Sequence, residues 1–427
     1  MSSVPDAGRI VVPMGTQVVV RADEALAELF GGGGGHPDPY PLYRALREQA
    51  PVHRSEHDGV WYLSRHADCM KVLLGAGSGR KPAGVHSARP FFIGRAQAQR
   101  ITRRARQTML WSNPPDHGRL RRLVSRVFTA PRVEDLRPRI THLVDGCLDT
   151  MIGARDTDVM DTLALRLPIQ VIGDLVGVPE ADRDRLRKLF YDTFSGETDE
   201  AHWQAVDRAA QAEAAIDAYF SDLVAERRAA PRSDLLSALI AARDGEDRLS
   251  EAELLTTASL IFGAGFVTTT NLIGNGLLAL LRHPGEMARL WSDPGLAPSA
   301  VEEILRFDSP VRLVGRYLFE PIDLGHRVID AGEFVLVLTA AANRDPGRFA
   351  DPETFDVGRA DNQPLSFGWG IHHCLGAQLA RLEGQAVFRR LAERTASIQL
   401  LDEHPPWGQG VFLRGLQSLP VRLRARP

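Results

Sequence analysis

The sequence predicts a mainly α-helical protein with a smaller β-rich part, and three stretches carry that prediction. From Leu254 to Leu281 there is no charged residue, and Ser250-Glu-Ala-Glu253 ahead of it is a capping box, so one long helix starts there. Residues 132 to 245 have a helical pattern rich in Ala, Leu, Arg and Asp, with breaks expected at Pro168, Gly173, Pro179 and Pro231. Ala377 to Glu393 is amphipathic. Leu379, Leu382, Ala386 and Leu391 fall close to one helical stripe, with Arg381, Arg389 and Arg390 beside it.

Composition narrows the function. At 427 residues the chain is long enough for two or three average domains, and 44% apolar content provides a large core. A formal net charge of −3 argues against general nucleic-acid binding. Three cysteines, Cys69, Cys147 and Cys374, imply a reducing compartment without a disulfide framework. The N-terminus lacks a basic segment followed by a continuous apolar run, so neither signal peptide nor membrane anchor is expected, and a cytoplasmic location is. The uncharged run is long enough to span a bilayer. Its threonines, Asn271 and Asn275, and its isolation in mid-chain favour a helix through a large core instead. From Glu251 to Arg282 that helix would be about 48 Å long.

In chain order, residues 1–35 end in the five glycines Gly31 to Gly35 and read as a flexible N-terminal extension. A Pro-rich turn then enters a helix from Leu42 to Gln49. Val52 to Arg54 and Val60 to Leu63 read as strands joined by a hairpin at Glu56 to Gly59, and Asp68 to Leu74 as a short helix. From Cys69 to Pro115 there are nine basic residues and no acidic one. Such a stretch is either a solvated face or a footprint for an anionic ligand or partner. His117 and Arg121 are four apart after Pro114-Pro115, so they share a helix face that suits a carboxylate or phosphate. Glu303 and Arg306 can pair on one helix. Ile322 to Leu324, His326 to Ile329 and Phe334 to Leu338 read as short strands.

The stretch around which the rest is organised is Phe367 to Gly376, FGWGIHHCLG. Its glycines permit close backbone approach and unusual φ, and Cys374 stands just before a helix, where N–H groups and the dipole favour a thiolate. Taken alone, such a cysteine is usually a small buried hydrophobe. Zinc, with His372 and His373 as neighbours, is a second option, but no further cluster at finger spacing occurs.

The full pattern Phe-Gly-x-Gly-x-His-x-Cys-x-Gly resembles the haem-binding loop of the cytochromes P-450. Phe367, Gly368, Gly370, His372, Cys374 and Gly376 all match. Further segments agree in order, from about Asp38 to the C-terminus. Asn113 to Arg122 resembles the Pro-Pro-x-His-x-x-x-Arg helix, which implies that His117 and Arg121 hold haem propionates. Ala264-Gly265-Phe266-Val267-Thr268-Thr269 resembles the oxygen-binding segment, which makes Thr268 the hydroxyl that manages dioxygen, with Ala264 and Gly265 beside it. Glu303 and Arg306 resemble the Glu-x-x-Arg pair behind the haem, completed by Arg359, and Arg316 matches an arginine on a propionate.

The resemblance implies the P-450 fold, with residues 36–427 as a single domain holding one haem b. Cys374 would be the axial iron ligand, and a ferredoxin and its reductase the electron donors, with Arg121 or Arg122 meeting the ferredoxin. It implies a monooxygenase similar to actinobacterial members that tailor natural products such as antibiotics. The sequence departs from the family at one place: Val267 occupies the usual acidic position, and valine cannot relay protons. That leaves room for an oxidase-type reaction without oxygen insertion; a non-catalytic helper is disfavoured by Cys374. The basic stretch corresponds to the loop that roofs the pocket. It implies an anionic substrate, or one tethered to an acidic carrier protein, with Arg103 and Arg104 as contacts and Phe91, Phe92 and Ile93 as pocket walls. Phe266 can face either pocket or core.

Overall fold

The uncharged run forms the axis of the molecule. In the computed structural model, which describes residues 21–31, 34–80, 108–194, 202–408 and 410–427, it is one helix of 32 residues, Glu251–Arg282. Ser250 Oγ accepts from the Glu253 N–H and Glu253 reaches back to the Ser250 N–H, so the capping box is formed. The helices in order are α1 Ala22–Phe30, α2 Tyr40–Gln49, α3 His66–Leu74, α4 Asp116–Ser125, α5 Ala130–Glu134, α6 Arg137–Ala154, α7 Arg166–Val176, α8 Glu180–Phe194, α9 His202–Ala229 and α10 Leu235–Ala241. Then come the axial α11, α12 Pro284–Ser292, α13 Ala297–Phe307, α14 Thr339–Ala342 and α15 Ala377–Arg394.

Around α11 gathers the largest core, drawn from α6, α7, α13 and α15. Among the described residues α11 is the one helix long and apolar enough to cross a membrane, and most of that apolar surface is covered by protein. α15 runs alongside it. A Cβ on Gly276 would stand 2.6 Å from Phe388 Cζ, so the two helices approach to glycine distance there. The expected apolar stripe of α15 is buried at Leu379, Leu382, Ala386 and Leu391.

The β part is one five-stranded sheet in the order β1-β2-β8-β5-β3, with small sheets beside it. Its strands are β1 Val52–Arg54, β2 Trp61–Leu63, β3 Ser78–Gly79, β5 Val314–Leu318 and β8 Phe334–Val337. β1 and β2 pair antiparallel across the predicted hairpin, with Gly59 at φ +69° in its turn. In the small sheets, β6 Ile322–Asp323 pairs with β7 Val328–Ile329, and β4 Asp156–Asp158 and β9 Thr395–Leu400 flank β10 Pro420–Ala425. Neither β4 nor β5 was anticipated. β4 lies inside a helical stretch, and β5 carries Gly315 and Arg316, which break the alternating pattern.

Three expectations need correction. Residues 22–30 are not part of a flexible extension. They form α1, whose Ala25, Leu26, Leu29 and Phe30 are buried against α2 and the sheet. Arg312 fastens the chain there by donating to the carbonyls of Leu29, at 3.0 Å, and Gly34. Pro168 does not break a helix, because it sits in the first turn of α7, where no intrahelical N–H is required. Gly173 does not either. It lies within α7, where a Cβ would overlap Arg183, whose guanidinium holds Asp174 and the Val178 carbonyl. The predicted contacts Phe91, Phe92, Ile93, Arg103 and Arg104 lie outside the described residues.

Candidate functional site

The cysteine loop is fixed by its glycines. Gly368 has φ +66° and Gly370 φ +71°, the left-handed region that side-chain-bearing residues avoid. A Cβ on Gly370 would stand 2.5 Å from the carbonyl oxygen of Leu73 at the end of α3. Gly376, at φ −83°, caps α15 without such a need. Cys374 donates its N–H to the Phe367 carbonyl at 2.9 Å, which closes the loop on itself. The guanidinium of Arg381 lies 4.4 Å from the Phe367 ring and pairs with Glu302, tying the loop to α13.

The Cys374 thiol is exposed rather than packed, yet protein mass surrounds it. That burial holds it above its ordinary value, against the opposing pull of the Gly376 N–H, Arg121 and Arg381. The helix N-terminus therefore does not outweigh desolvation by itself. A bound metal would, because coordination removes a thiol proton outright.

Beside the cysteine stands a cluster of cations with no acid among the described residues. α4 presents His117 and Arg121, β5 presents Arg316, and the loop presents His372. The His117 and His372 rings are 4.2 Å apart. Arg80, just after β3, joins them by donating to the Gly315 carbonyl at 3.1 Å, while Arg316 donates to the same carbonyl at 2.9 Å. Arg316 and His117 are both buried, and the Nε2 atoms of His117 and His372 lack partners among the described residues. Burial acts on all of them, and repulsion from neighbouring cations adds to it at His117, Arg316 and His372. Burial pushes Arg316 down to about 9 and Arg80 to about 10. His372 falls to about 2, through burial and then through Arg316, His117 and the other cations. Buried cations are normally paired; this set is built for an anion.

Arg80 was read in the sequence only as part of the basic stretch. Tertiary folding brings it to the cluster, and its place directly after Ser78-Gly79 was the available signal. Arg122, by contrast, points to Asp244 at 3.0 Å, so its charge is already matched.

The middle of α11 is open on one side. Between Thr257 and Leu280 every residue is buried except Leu260, Ala264, Gly265 and Thr268. Leu260, Ala264 and Thr268 are spaced by four, so they form one facing strip. Thr268 Oγ1 donates to the Ala264 carbonyl at 3.3 Å. Gly265 serves helix packing, since a Cβ there would meet Ile172 of α7 at 2.6 Å. Val267 is buried in the main core, and Phe266 is fully buried against the rings of Phe190, Tyr191 and Phe262. Phe266 thus faces core.

Behind the loop lies a second buried cluster. Glu303 receives two hydrogen bonds from Arg306, both 2.7 Å, one from Arg359 at 3.1 Å and one from Asn362 at 2.9 Å. Arg306 also donates to the Asn343 carbonyl at 3.0 Å. The Asn343 side chain then accepts from the Leu365 N–H at 2.7 Å and donates to Ser366 at 2.9 Å. The chain entering the cysteine loop is pinned this way.

Among the described residues no three His, Cys, Asp or Glu side chains converge on a metal position. A lone thiolate beside an acid-free cation cradle, with unpartnered imidazoles, fits a metal carried by an organic group that bears carboxylates. Haem b is such a group. Cys374 would hold the iron, and Arg80, His117, Arg121, Arg316 and His372 its propionates.

The fold and this site define a haem-binding oxidoreductase, and the comparisons with known proteins agree. The Cytochrome P450 family profile matches residues 183–293 and 296–394. The chain is 42% identical to the cytochrome P450 monooxygenase PikC of Streptomyces venezuelae, over 91% of each. It superposes with a TM-score of 0.82 on the cytochrome P450 PksS of the Bacillus subtilis bacillaene polyketide synthase, at 35% identity, covering 91% of this chain and 97% of that one. P450BioI, solved in complex with a fatty-acyl-ligated acyl carrier protein, gives a TM-score of 0.84 at 33% identity, covering 94% of this chain and all of that one. The chain belongs to the cytochrome P450 family: it is a haem b monooxygenase with the P450 fold.

Proposed function

We propose that the protein hydroxylates or epoxidises an acyl or polyketide-type intermediate of natural-product biosynthesis, offered free or on an acidic carrier protein. The observation that carries this reading is the open strip Leu260–Ala264–Thr268, an apolar wall ending in one hydroxyl on an otherwise buried helix. Such a wall suits an aliphatic substrate. PikC is named a monooxygenase, PksS belongs to a polyketide synthase, and P450BioI is bound to an acyl carrier protein. The basic stretch from Lys71 to Arg106 supports the acidic carrier.

In this reading Cys374 ligates the iron and the cation cradle orients the cofactor. When bound, haem b supplies the iron on which dioxygen is activated. Thr268 carries its Oγ1 on the open side, where the hydroxyl donates to the Ala264 carbonyl and can turn to a bound group, and Ala264 leaves room beside it. Glu303, Arg306 and Arg359 keep the loop in place from behind. Two electrons come from a ferredoxin and its reductase. Leu74 and Ile371, both about half exposed beside the cysteine loop, supply an apolar landing point for that donor.

A Soret titration tests the substrate class. Hexadecanoic acid is offered free and as its thioester on an acyl carrier protein. A high-spin shift with either form supports the acyl reading, and a shift confined to the carrier form assigns the basic stretch to the carrier. No shift with either removes it. Val267 favours one second reading, an oxidase-type reaction that couples, desaturates or rearranges. Turnover under labelled dioxygen separates the two, because insertion leaves the label in the product.

A further inference from the structure

Residues 81–107 carry seven of the nine cations of the basic stretch and no acid. The chain enters them from Arg80 and leaves them at Thr108, and Arg80 ties the two ends together. Its N–H donates to Asn113 Oδ1 at 2.8 Å, and its Nε donates to the Leu110 carbonyl at 3.1 Å. Its Cζ lies 4.8 Å from the centroid of the Trp111 ring, within cation–π range. Gly79 makes room for this approach, since a Cβ there would stand 2.5 Å from Asn113 Oδ1. The far end is itself a tight turn: the Trp111 N–H and Ser112 Oγ both donate to the Thr108 carbonyl, at 3.1 and 2.9 Å.

The same side chain belongs to the cation cradle. Arg80 Nη1 and Arg316 Nη1 both donate to the Gly315 carbonyl. Asn113 joins Arg80 to α4, because its carbonyl accepts from the His117 N–H at 2.9 Å. One neutral oxygen shared by two guanidinium groups does not offset their repulsion. Arg80 Nη2 makes no hydrogen bond among the described residues. An anion at Nη2 would supply a charge-assisted bond there. It would do so only while Arg80 stays in the position from which it also reaches Leu110 and Trp111. Coupling of this kind is reciprocal. Whatever steadies the turn at 108–113 also steadies the anion.

We propose that Arg80 couples cofactor binding to the two chain ends that bracket residues 81–107. A haem propionate at Nη2 tightens its hold on Leu110 and Trp111, and loss of that hold loosens the haem. Arg80 is in this sense a positioning residue, and Trp111, which is no part of the cradle, acts on the haem through it. The bracket ends are where the cations read as carrier- or substrate-facing join the fold, so loading the cofactor prepares that join. The proposal rests on the haem reading of the cradle and is independent of the substrate.

The test compares the parent with Arg80→Gln, Arg80→Lys, Trp111→Leu and Trp111→Phe, each haem-free and haem-loaded. The first readout is hydrogen exchange at the amides of Arg80 and residues 108–113, which reports local opening. The second is the rate of haem release to an acceptor protein. Haem loading is expected to slow exchange in the parent about fivefold or more. In both Arg80 variants, which lack the planar fork, loading should leave it nearly unchanged, while His117, Arg121, Arg316 and His372 still hold the haem. Trp111→Leu is expected to keep the thiolate-type Soret band of the reduced carbon monoxide form and to release haem about fivefold faster than the parent. Trp111→Phe, which keeps an aromatic face, should release it at nearly the parent rate. Should Arg80→Gln fail to fold, Arg80→Lys carries the comparison. Equal slowing by haem in the parent and the Arg80 variants overturns the proposal. So does parent-like haem release from Trp111→Leu, the result a merely structural Trp111 would give. If the parent takes up haem with that Soret band and only these couplings are absent, this inference alone falls. If the parent does not, the haem reading of the cradle falls with it.

Discussion

The molecule buries two groups of cations within one loop of each other, and they are built on opposite principles. In the Glu303 cluster, Arg306 and Arg359 both meet the same carboxylate, and the remaining donors of Arg306 reach backbone carbonyls. In the cluster of Arg80, His117, Arg121, Arg316 and His372, no acid is present among the described residues, and every pKa is driven down. The first is finished within the chain and holds shape. The second is complete only with an anion and gives up stability for binding. Charge pairing thus separates scaffold from site more sharply than burial does.

Removing one partner from each cluster is the strongest test of this contrast. Glu303→Ala leaves two guanidinium groups without their shared carboxylate and is expected to cost about 3–5 kcal/mol. That is a large part of a typical folding free energy, so urea unfolding of the variant should begin far earlier and haem should be lost with the fold. Arg316→Ala should do the reverse. The haem-free chain should unfold at the same urea concentration as the parent or a higher one. Haem release to an acceptor protein should quicken about tenfold or more, as expected for loss of a charged hydrogen bond of about 1.5–3 kcal/mol. Equal losses of chain stability in both variants would erase the distinction.

A smaller effect separates the glycines of the cysteine loop. Gly370→Ala combines a positive φ with overlap on the Leu73 carbonyl and should cost about 1–3 kcal/mol. Gly376→Ala, with its negative φ and its nearest neighbour at 4.0 Å, should stay within about 0.5 kcal/mol. Thermal unfolding of the two haem-loaded variants reads the difference directly.

Much of this was legible in the sequence, for identifiable reasons. The long helix announced itself by its capping box and absence of charge, and the cysteine loop by the spacing of its glycines. His117 and Arg121 were readable as one helix face because four residues is a local spacing. Arg80 was not, since it reaches the cluster only when β3 pairs with β5, and β5 itself was hidden by Gly315 and Arg316. The packing of Gly265 was not legible for a related reason: its bare face meets Ile172, 93 positions earlier. The full burial of Glu383 on α15 was not legible, because a glutamate on an amphipathic helix normally faces water. Local spacing was readable; pairings set by distant segments were not.

The finest test of the two-cluster contrast is a pH dependence. Burial, with Arg121 and Arg316 nearby, holds the His117 imidazole below its ordinary value near 6.5. As the pH falls below that value, the unfolded chain takes up a proton that the folded chain resists. The stability associated with a neutral His117 is therefore complete above pH 6.5 and drains as acid is added toward the folded value. A docked carboxylate would reverse the sign of its surroundings and let the ring charge at higher pH. Between pH 7 and pH 5 the haem-free parent should accordingly lose more stability than haem-free His117→Phe, and haem loading should shrink the difference. Melting temperatures of the four samples across that range decide it. Parallel curves for the two haem-free proteins would show that His117 feels no repulsive field, and the cluster would then lack the anion-seeking character that distinguishes it from the Glu303 network.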